Sequence, residues 1–396
     1  MKKKLLPALI VTGLIILVVI IMGITALINK YTPTKKTEDL KEYFNISSDD
    51  EAALIVDNEL SDYKAKIIDK KIYVDYKFVH DSLNSRFYWD ANENVLLYTT
   101  ASDIISAAAD SNSYSVTKQT NDFGYPIVKA TSDSALIALD YVKQYSNITF
   151  KSYDDPARIV ITSKWDEIDS ATVSKPTQVR VKGGIKSPIL KEVKKDDKIT
   201  ILDSGDKWDK IATEDGVIGY IKRKALSESK KTKLTNPDYE EETFTHIKKD
   251  KDICLAWNQV TSQSANSKVP QVISSTKGIN VMSPTWFYLN DNNGNLADIA
   301  SKDYVSYCHS QGIEVWGLFS NLENTDVDAA YVLTHTSTRT TLINQIMSAA
   351  FNYELDGVNI DFENITEAAY GDSYIEFIRE LSIKCHNNGI SLSVDV

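Results

Sequence analysis

The sequence predicts a multidomain protein with four parts: an N-terminal transmembrane helix, a small α+β domain, a small β-barrel and a final α/β segment. Three observations predict this order. A long apolar run lies within the first 30 residues, short alternating segments separated by turn residues fill the middle, and strands alternate with helices after residue 250. With 396 residues, of which 42% are apolar and 25% are charged, the chain is long enough for two or three domains.

The first part is an apolar run over residues 5–28 without a charged side chain. As a helix this run would be about 36 Å long, enough to cross the hydrocarbon core of a bilayer. A cleaved signal peptide is the alternative, but its apolar region is about 7–15 residues long and ends in small residues. Because this run is longer and ends in Leu27 and Ile28, we expect residues 1–30 to be a short tail and an uncleaved anchor in the lipid bilayer.

The charges that flank the run predict its orientation. Lysines occupy positions 2–4, and no acidic residue accompanies them. Such a short basic flank stays in the cytoplasm. Three more lysines between residues 30 and 36 reduce the asymmetry, although Glu38 and Asp39 follow them. We therefore expect a single-pass protein of the cell membrane, with a cytoplasmic N-terminus and the bulk of the chain extracellular.

Composition argues against several classes of partner. The net charge of −11 argues against a nucleic-acid partner for the whole chain. The three cysteines are far apart and odd in number, which favours buried free thiols over a disulfide framework. The five histidines show no ligand spacing. We expect neither a metal site nor a cofactor.

Residues 31–43 are polar and predict a short stalk, and residues 44–166 contain an internal repeat. The pattern over residues 78–99 recurs 63 residues later, over residues 141–162, and each copy reads as a helix, a strand, a turn and a second strand. This α+β pattern resembles the wall-associated domain called copper amine oxidase N-terminal-like, although no residues here could ligate copper. A structural spacer and a glycan-binding domain both remain open.

Residues 176–226 predict a small β-barrel of short strands separated by turns rich in glycine and aspartate. The segments 179–181, 204–208 and 215–221 resemble a bacterial Src-homology-3-like domain, a class whose members bind peptidoglycan. Between residues 178 and 226 there are 12 Lys and Arg against 8 Asp and Glu. A basic module outside the membrane would suit an anionic cell wall. Residues 227–249 then read as a polar linker.

From residue 250 onward strands and helices alternate, which predicts a parallel sheet with right-handed crossovers. The predicted strands and helices, in chain order, are the strands Ile253–Trp257, Gly278–Ser283, Ile313–Ser320, Leu355–Glu363 and Ile390–Val396 and the helices Asp298–Gln311, Arg339–Tyr353 and Tyr370–Asn387. Alternation alone would fit a doubly wound sheet as well as a barrel.

The fourth predicted strand, over residues 356–363, favours the barrel. Side chains alternate along a strand, so Asn359, Asp361 and Glu363 share one face and the apolar residues between them share the other. A row of polar groups that faces a barrel interior is costly unless it serves a site, because buried charges need partners. The row also ends at the C-terminal mouth, where barrel active sites lie.

This strand matches, with one change, the D-x-x-D-x-D-x-E signature of glycoside hydrolase family 18, to whose cell-wall and spore-cortex lytic branch the segment is similar. The resemblance implies retaining hydrolysis beside an N-acetylamino sugar, with the substrate's own acetamide as nucleophile. By position it makes Glu363 the general acid and base, while Asp361 orients the acetamide and stabilises the positive intermediate. Asn359 replaces the usual aspartate and cannot share a proton. Asp356, at the strand start, suits a cap or turn role.

Other candidate substrate-binding residues lie at predicted strand ends. Trp257 closes the first strand, and Trp286 follows the second, where an indole could stack on a sugar ring. Packing in the core is the alternative for Trp286. Asn321, just after the third strand, is a candidate polar contact.

A complete (β/α)8 TIM-type barrel has eight strands and about 250 residues, whereas residues 250–396 supply five strands. We therefore expect only the first half of the barrel here, as a truncated product or a fragment of a longer protein. The sequence predicts a membrane-anchored extracellular glycosidase that acts on a polysaccharide with N-acetylamino sugars, such as peptidoglycan or a chitin-like polymer. The alternatives are an inactive glycan- or peptidoglycan-binding protein of the same fold and an inactive fragment.

Overall fold

The computed structural model describes residues 5–395, with side chains for all of these except residues 5–8 and 367–369. Nine α-helices lie within the described residues: α1 Leu5–Tyr31, α2 Leu40–Tyr43, α3 Tyr76–Phe78, α4 Leu139–Tyr145, α5 Val269–Ser274, α6 Lys302–Ser310, α7 Ala329–Thr334, α8 Thr336–Tyr353 and α9 Glu367–Asn387. Three further helical turns are the π-turn Val79–Leu83 and the 3-10 turns Arg223–Ala225 and Gln263–Lys268.

Short strands make up most of the regular structure before residue 250. These strands are β1 Glu51–Val56, β2 Glu59–Ile68, β3 Lys71–Asp75, β4 Phe87–Asp90, β5 Val95–Thr99, β6 Ile104–Ala108, β7 Ser113–Val116, β8 Gln119–Asp122, β9 Val128–Ala130, β10 Ala135–Ala138, β11 Thr149–Tyr153, β12 Arg158–Thr162, β13 Glu167–Thr172, β14 Thr177–Arg180, β15 Ile189–Val193, β16 Lys198–Asp203, β17 Trp208–Thr213, β18 Ile218–Lys222 and β19 Lys230–Lys233. The strands after residue 250 are β20 Leu255–Asn258, β21 Val281–Leu289, β22 Leu296–Asp298, β23 Glu314–Ser320, β24 Gly357–Asp361 and β25 Ser391–Val394.

Helix α1 is the one helix among the described residues that is long and apolar enough to cross a membrane, over Leu9–Tyr31. Its side chains are exposed from residue 9 onward. Length and composition of this kind fit a membrane anchor or a signal sequence. The lysines at positions 2–4, on which the predicted orientation depends, lie outside the described residues.

The chain divides into two compact units, and each draws on two stretches of sequence. Unit 1 joins the chain up to residue 73 with residues 147–239, and unit 2 joins residues 74–146 with the chain from residue 240 onward. The second copy of the predicted repeat contains the expected helix and strand pair, α4 with β11 and β12, whereas the first has the π-turn Val79–Leu83 in place of the helix, followed by β4 and β5. The stretch 44–166 is shared between the two units.

Unit 1 contains two sheets over a common apolar core. In the first sheet β1 pairs in parallel with β12 and antiparallel with β2. The second is antiparallel in the order β15-β14-β18-β17-β16-β13-β19. It contains the four strands expected between residues 176 and 226 and three more: β15, β13 from before residue 176, and β19 from the segment expected to be a linker. The shared core includes Ile55 from the first sheet with Val179 and Ile211 from the second.

The segment expected to be a stalk is ordered against the second sheet of unit 1. The Thr34 N–H donates to the Ile185 carbonyl at 2.8 Å, and the N–H of Glu38 donates to the Ile189 carbonyl at 2.8 Å. The Tyr43 hydroxyl donates to the Ile218 carbonyl at 2.6 Å, from a half-buried position. Hydrogen bonds therefore hold residues 31–43 against this sheet. Amino-acid composition alone does not reveal such contacts.

Unit 2 contains an antiparallel sheet in the order β4-β5-β6-β7-β8 and a sheet in the order β20-β21-β23-β24-β25. All neighbouring strands of the latter are parallel, and β22 pairs antiparallel with β21. Parallel strands that follow one another in chain order, with helices between them, form the arc of a barrel; a doubly wound sheet would reverse the order at a switch point. The five predicted strands are present, and their consecutive order is the one expected for part of a barrel.

The turn between β4 and β5 caps helix α8, which has no side-chain cap of its own. Asp90 Oδ2 accepts from the Thr336 N–H and hydroxyl, both at 2.6 Å, and Glu93 Oε2 accepts from the Ser337 N–H at 2.9 Å. The first N–H groups of a helix need such acceptors, and a negative charge there is favoured by the helix dipole. The antiparallel sheet and the helices around the parallel sheet are thus one structural unit.

Next to this contact lies a buried cluster of charged side chains on α8 and α9. Arg339 is fully buried, and its Nε donates to Glu380 Oε1 at 2.8 Å. Glu376, one turn before Glu380, is also fully buried. Burial, together with the negative charge of Glu380, raises the pKa of Glu376 to about 7.

The raised pKa of Glu376 predicts a pH dependence of stability. In the unfolded chain this carboxyl ionises near 4.5, so between about 4.5 and 7 the folded state holds a proton that the unfolded state has lost. Stability should therefore fall as pH rises through this range, because the folded state must then lose a proton that its buried site favours. Thermal unfolding followed by circular dichroism in detergent at pH 5 to 8 measures the effect.

Glu376→Gln should flatten this dependence, because the amide carries no charge at any of these pH values. The exposed Asp303 on α6 provides the matched control, and Asp303→Asn should unfold with the wild-type pH dependence. An unchanged slope in Glu376→Gln would show that this carboxyl is ionised throughout the range.

Candidate active site

The candidate site is built on strand β24, where side chains alternate as the sequence predicts. Val358 and Ile360 are fully buried in the apolar core with residues of the surrounding helices, and Phe362 continues this face just beyond the strand. The rings of Phe362 and Phe377, on α9, stack with centroids 5.6 Å apart. Asn359 and Asp361 consequently occupy the other face of the sheet, toward the inside of the arc.

Asp361 ends β24 at its carboxyl end and is partly buried. Burial raises the pKa of this carboxyl, and the negative charges of Asp395, Glu363 and Glu323 raise it further. Tyr374, on α9, lies close to two of these carboxylates. Burial raises the pKa of its hydroxyl to about 12, and the negative charges of Asp395 and Asp361 contribute to the shift. A carboxyl in this environment accepts a proton or a cationic group more readily than one in water.

Asn359 is buried and held by the neighbouring strand. Its Nδ2 donates to Asp395 Oδ2 at 2.7 Å, and its Oδ1 accepts from the Ser393 hydroxyl at 3.1 Å. With both ends of the amide bonded, the side chain has one orientation. The carboxylate that the family signature would have at position 359 is absent, but the carboxylate of Asp395 lies beside that position.

Glu363 lies two residues beyond Asp361, after the last residue of β24, and is exposed. Asn321, at the end of β23, fixes its backbone: the Glu363 N–H donates to Asn321 Oδ1 at 2.9 Å, and Asn321 Nδ2 donates to the Glu363 carbonyl at 3.0 Å. Asn364 follows in a left-handed conformation with φ of 60°, which turns the chain away from the strand. The negative charge of the exposed Glu363 side chain acts on Asp361 and raises the pKa of that carboxyl.

Asp356 occupies the opposite end of the strand. Its Oδ2 accepts from the Val315 N–H at 2.8 Å and contacts His309 Nε2 at 2.8 Å. These contacts join the start of β24 to β23 and to α6. The structural role expected for Asp356 is observed.

The two tryptophans proposed as sugar contacts differ in exposure. Trp257, in β20 near its carboxyl end, is 62% exposed and available to a ligand. Trp286 is fully buried, and its Nε1 donates to Asn266 Oδ1 at 2.8 Å. Strand β21 runs on to Leu289, so Trp286 lies inside the strand and not at its end. The prediction that Trp286 stacks on a sugar ring is therefore wrong, and this side chain packs in the apolar core.

Two acidic residues of the site were missed by the sequence analysis, Asp395 after β25 and Glu323 after β23. Asp395 is linked to the strand next to it, since its N–H donates to the Ile360 carbonyl at 2.9 Å. The Ser320 hydroxyl donates to Glu323 Oε2 at 2.5 Å. Both residues could have been found from the sequence, because acidic residues follow or end consecutive predicted strands.

A cavity of about 420 Å³ in unit 2 lies elsewhere, at the amino ends of the parallel strands, where Ile253, Trp316 and Ser391 line it. None of the candidate site residues borders this cavity. Since barrel enzymes bind substrate at the carboxyl ends of their strands, this cavity is not the expected substrate site.

No protein-family model and no curated protein sequence matches the chain. Among solved structures, it is similar to a chitinase from Chromobacterium violaceum, with 19% identity and a TM-score of 0.31 over 36% of this chain and 45% of that one. It is also similar to a chitinase from Bacteroides thetaiotaomicron, with 13% identity and a TM-score of 0.31 over 37% and 47% of the two chains.

A third similar structure is the Bacillus cereus spore cortex-lytic enzyme SleL, with 17% identity and a TM-score of 0.32 over 41% of this chain and 39% of that one. The chain thus spans less than half the length of each of these three proteins. The assignment of a barrel-type sheet rests on the strand order described above and not on these similarities.

The electrostatics of the site predict how Asp361 titrates. Asp395→Asn removes a negative charge beside Asp361, so the pKa of Asp361 should fall toward its ordinary value. Titration of the chain with ¹³C-labelled aspartate carboxyl groups, followed by NMR, measures this pKa directly and does not require activity.

Asp326→Asn serves as the control for this titration, because Asp326 is an exposed carboxylate in the loop after β23. It should leave the titration of Asp361 unchanged. Equal effects of the two substitutions would mean that Asp395 has no special proximity to Asp361.

Proposed function

We propose that this protein is a membrane-anchored glycosidase that hydrolyses a cell-wall glycan containing N-acetylglucosamine. The observation that carries the proposal is the arrangement at the carboxyl end of β24. There Asp361 is partly buried, and the negative charge of Glu363 contributes to the rise of its pKa. Asn321 holds the backbone of Glu363 in place with two hydrogen bonds.

In the proposed reaction, Glu363 gives its proton to the glycosidic oxygen as the bond from the sugar C1 to that oxygen breaks. The acetamide oxygen of the same sugar bonds to C1, which gives a cyclic, positively charged intermediate. Water then attacks C1, its proton passes to the Glu363 carboxylate, and the acetamide is released. The acid is thereby restored for the next cycle.

In this proposal Asp361 orients the substrate's acetamide group and stabilises the intermediate. A carboxylate beside the acetamide N–H accepts a hydrogen bond from it and offsets the positive charge. A neighbouring negative charge strengthens this effect in a partly buried site. Asn359 is a substrate-binding or positioning residue, and the exposed indole of Trp257 offers a flat face for a sugar ring.

Peptidoglycan is the substrate favoured over chitin, because three segments suit a cell wall outside a membrane. Residues 5–28 would anchor the chain in the bilayer, with the N-terminus cytoplasmic and the remainder extracellular. Residues 176–226, as a Src-homology-3-like module, would bind peptidoglycan, and residues 44–166 would be a wall-associated domain. Because the chain spans under half the length of the similar structures, activity of this chain on its own is part of the proposal.

Release of soluble fragments from purified peptidoglycan tests the proposed chemistry. Glu363→Gln should reduce the rate by about 10²- to 10⁴-fold, the usual contribution of general acid–base catalysis. Asp361→Asn should also lower the rate, since an amide cannot stabilise the positive intermediate. New reducing ends counted over time, with fragment analysis by mass spectrometry, provide the measurement.

Asp326→Asn again provides a matched control and should retain the wild-type rate. Equal rates for wild type and Glu363→Gln would refute the assignment of the acid. If wild type and Glu363→Gln both bind glycan and neither cleaves it, the alternative of a glycan-binding protein with this fold is favoured.

A further inference from the structure

The second sheet of unit 1 is joined directly to the end of helix α1. The Lys186 ammonium group donates to the Thr32 carbonyl at 2.7 Å and also to the Asn29 carbonyl. Two residues further along, the Thr34 N–H donates to the Ile185 carbonyl at 2.8 Å. The loop between β14 and β15 therefore lies at the point where the chain leaves α1.

The surface around this junction is strongly basic. It is formed by four stretches, 29–37, 181–188, 206–208 and 222–226, and we call it the junction surface. These stretches carry nine basic side chains and a single acid, Asp206. The basic residues are Lys30, Lys35, Lys36, Lys182, Lys186, Lys207, Lys222, Arg223 and Lys224.

A cleft of about 490 Å³ opens within the junction surface. Four basic side chains and one acid line it, together with Ile185 and Trp208: Lys207, Lys222, Arg223, Lys224 and Asp206. The Lys222 ammonium lies 5.7 Å from the centre of the Trp208 ring. An indole beside several ammonium groups offers an apolar face and charge-assisted hydrogen bonds in one place.

Arg223 contributes less free charge to the cleft than the lysines do. Its Nε lies 3.1 Å from Asp209 Oδ1, and the Asp209 side chain is buried. The exposed Lys207 and Lys224 have no such buried acid beside them among the contacts of the described residues. The lysines around Trp208 are thus the groups available to an anionic ligand.

We propose that this cleft binds the phosphate head groups of anionic phospholipids in the membrane that helix α1 crosses. The proposal rests on the anchor role of α1 in the proposed function and does not depend on the hydrolytic chemistry. The protein would then be held to its membrane by two contacts, the crossing helix and the cleft.

Distance favours a lipid ligand over a wall polymer. Ile185, which lines the cleft, is bonded to Thr34, three residues after the last residue of α1. Three extended residues span about 10 Å at most, and the polar layer on each side of a bilayer is about 5–7 Å thick. The cleft is therefore within about one Debye length of the lipid phosphates. Tryptophan is also favoured at this depth of the membrane.

Acetylation of lysines in the full chain, reconstituted into nanodiscs, tests the proposal. Discs of phosphatidylcholine alone are compared with discs that contain phosphatidylglycerol, and modified peptides are quantified by mass spectrometry. Lys207, Lys222 and Lys224 should react at least threefold more slowly in the anionic discs. The exposed Lys233, on β19 of the same unit, should react at similar rates in both.

A second measurement uses the fluorescence of Trp208, isolated as the difference between wild type and Trp208→Phe. A lipid with a spin label on its head group should quench this component more strongly in the anionic discs. Equal quenching in the two kinds of disc would contradict the proposal.

Charge reversal provides the matched variants. Lys222→Glu with Lys224→Glu should abolish the slower reaction of Lys207 in anionic discs, while the thermal midpoint stays near that of wild type. Lys231→Glu with Lys233→Glu makes the same change of charge on β19 and should leave the protection of Lys207 intact. A loss of protection in both double variants would indicate general attraction to the membrane and overturn the cleft assignment.

A soluble polymer of glycerol phosphate, added to phosphatidylcholine discs, distinguishes the other source of phosphate. Protection by this polymer without protection by phosphatidylglycerol would assign the cleft to a wall polymer and overturn the lipid proposal. Recovery of the chain free of discs would show that α1 is no anchor, which removes the basis of this inference and leaves the Glu363 assay unaffected.

Discussion

The candidate site depends on one constraint, the fixed alternation of side chains along a strand that is paired on both sides. Strand β24 is paired in register with β23 and β25. Its apolar face consequently packs against the helices. Asn359 and Asp361 must therefore lie on the opposite face, inside the arc. A shift of one residue would place Asp361 on the apolar face, at the cost of an unpaired buried charge. The apolar core thus fixes the position of the carboxyl group.

Local patterns in the sequence predicted this face and the parallel sheet, because alternation and strand–helix periodicity are visible within short windows. The sequence analysis did not predict that Asp395 would lie beside Asn359, since that contact depends on the register between β24 and β25. Trp286 was misplaced for a related reason. Strand β21 ends six residues later than expected, at Leu289, so a residue expected at an open strand end is inside the strand and faces the helix layer.

The order in residues 31–43 is a second feature that the sequence could not reveal. Polar composition with a proline is typical of a flexible stalk, yet here the segment donates and accepts backbone hydrogen bonds along β15 and the loop before it. An exposed strand edge accepts any extended segment of suitable length, whatever its side chains. Such pairing cannot be predicted from amino-acid composition. The basic character of the junction surface, by contrast, was partly predictable from the excess of Lys and Arg over residues 178–226.

The cap that Asp90 and Glu93 place on α8 bears on how this protein could be recombined with others. Modular proteins are usually cut and rejoined at boundaries drawn along the sequence. Here such a cut near residue 170 would keep the chemistry-bearing strands but discard the acceptors of helix α8, together with Tyr88, whose hydroxyl lies 2.8 Å from that of Ser373. A chimera that begins at residue 240 would inherit an uncapped helix α8. It would also lose the Tyr88 ring, whose centre lies 5.0 Å from the Arg339 guanidinium, and so expose that buried side chain to water. Exchange of the whole of unit 2, discontinuous as it is, would avoid both.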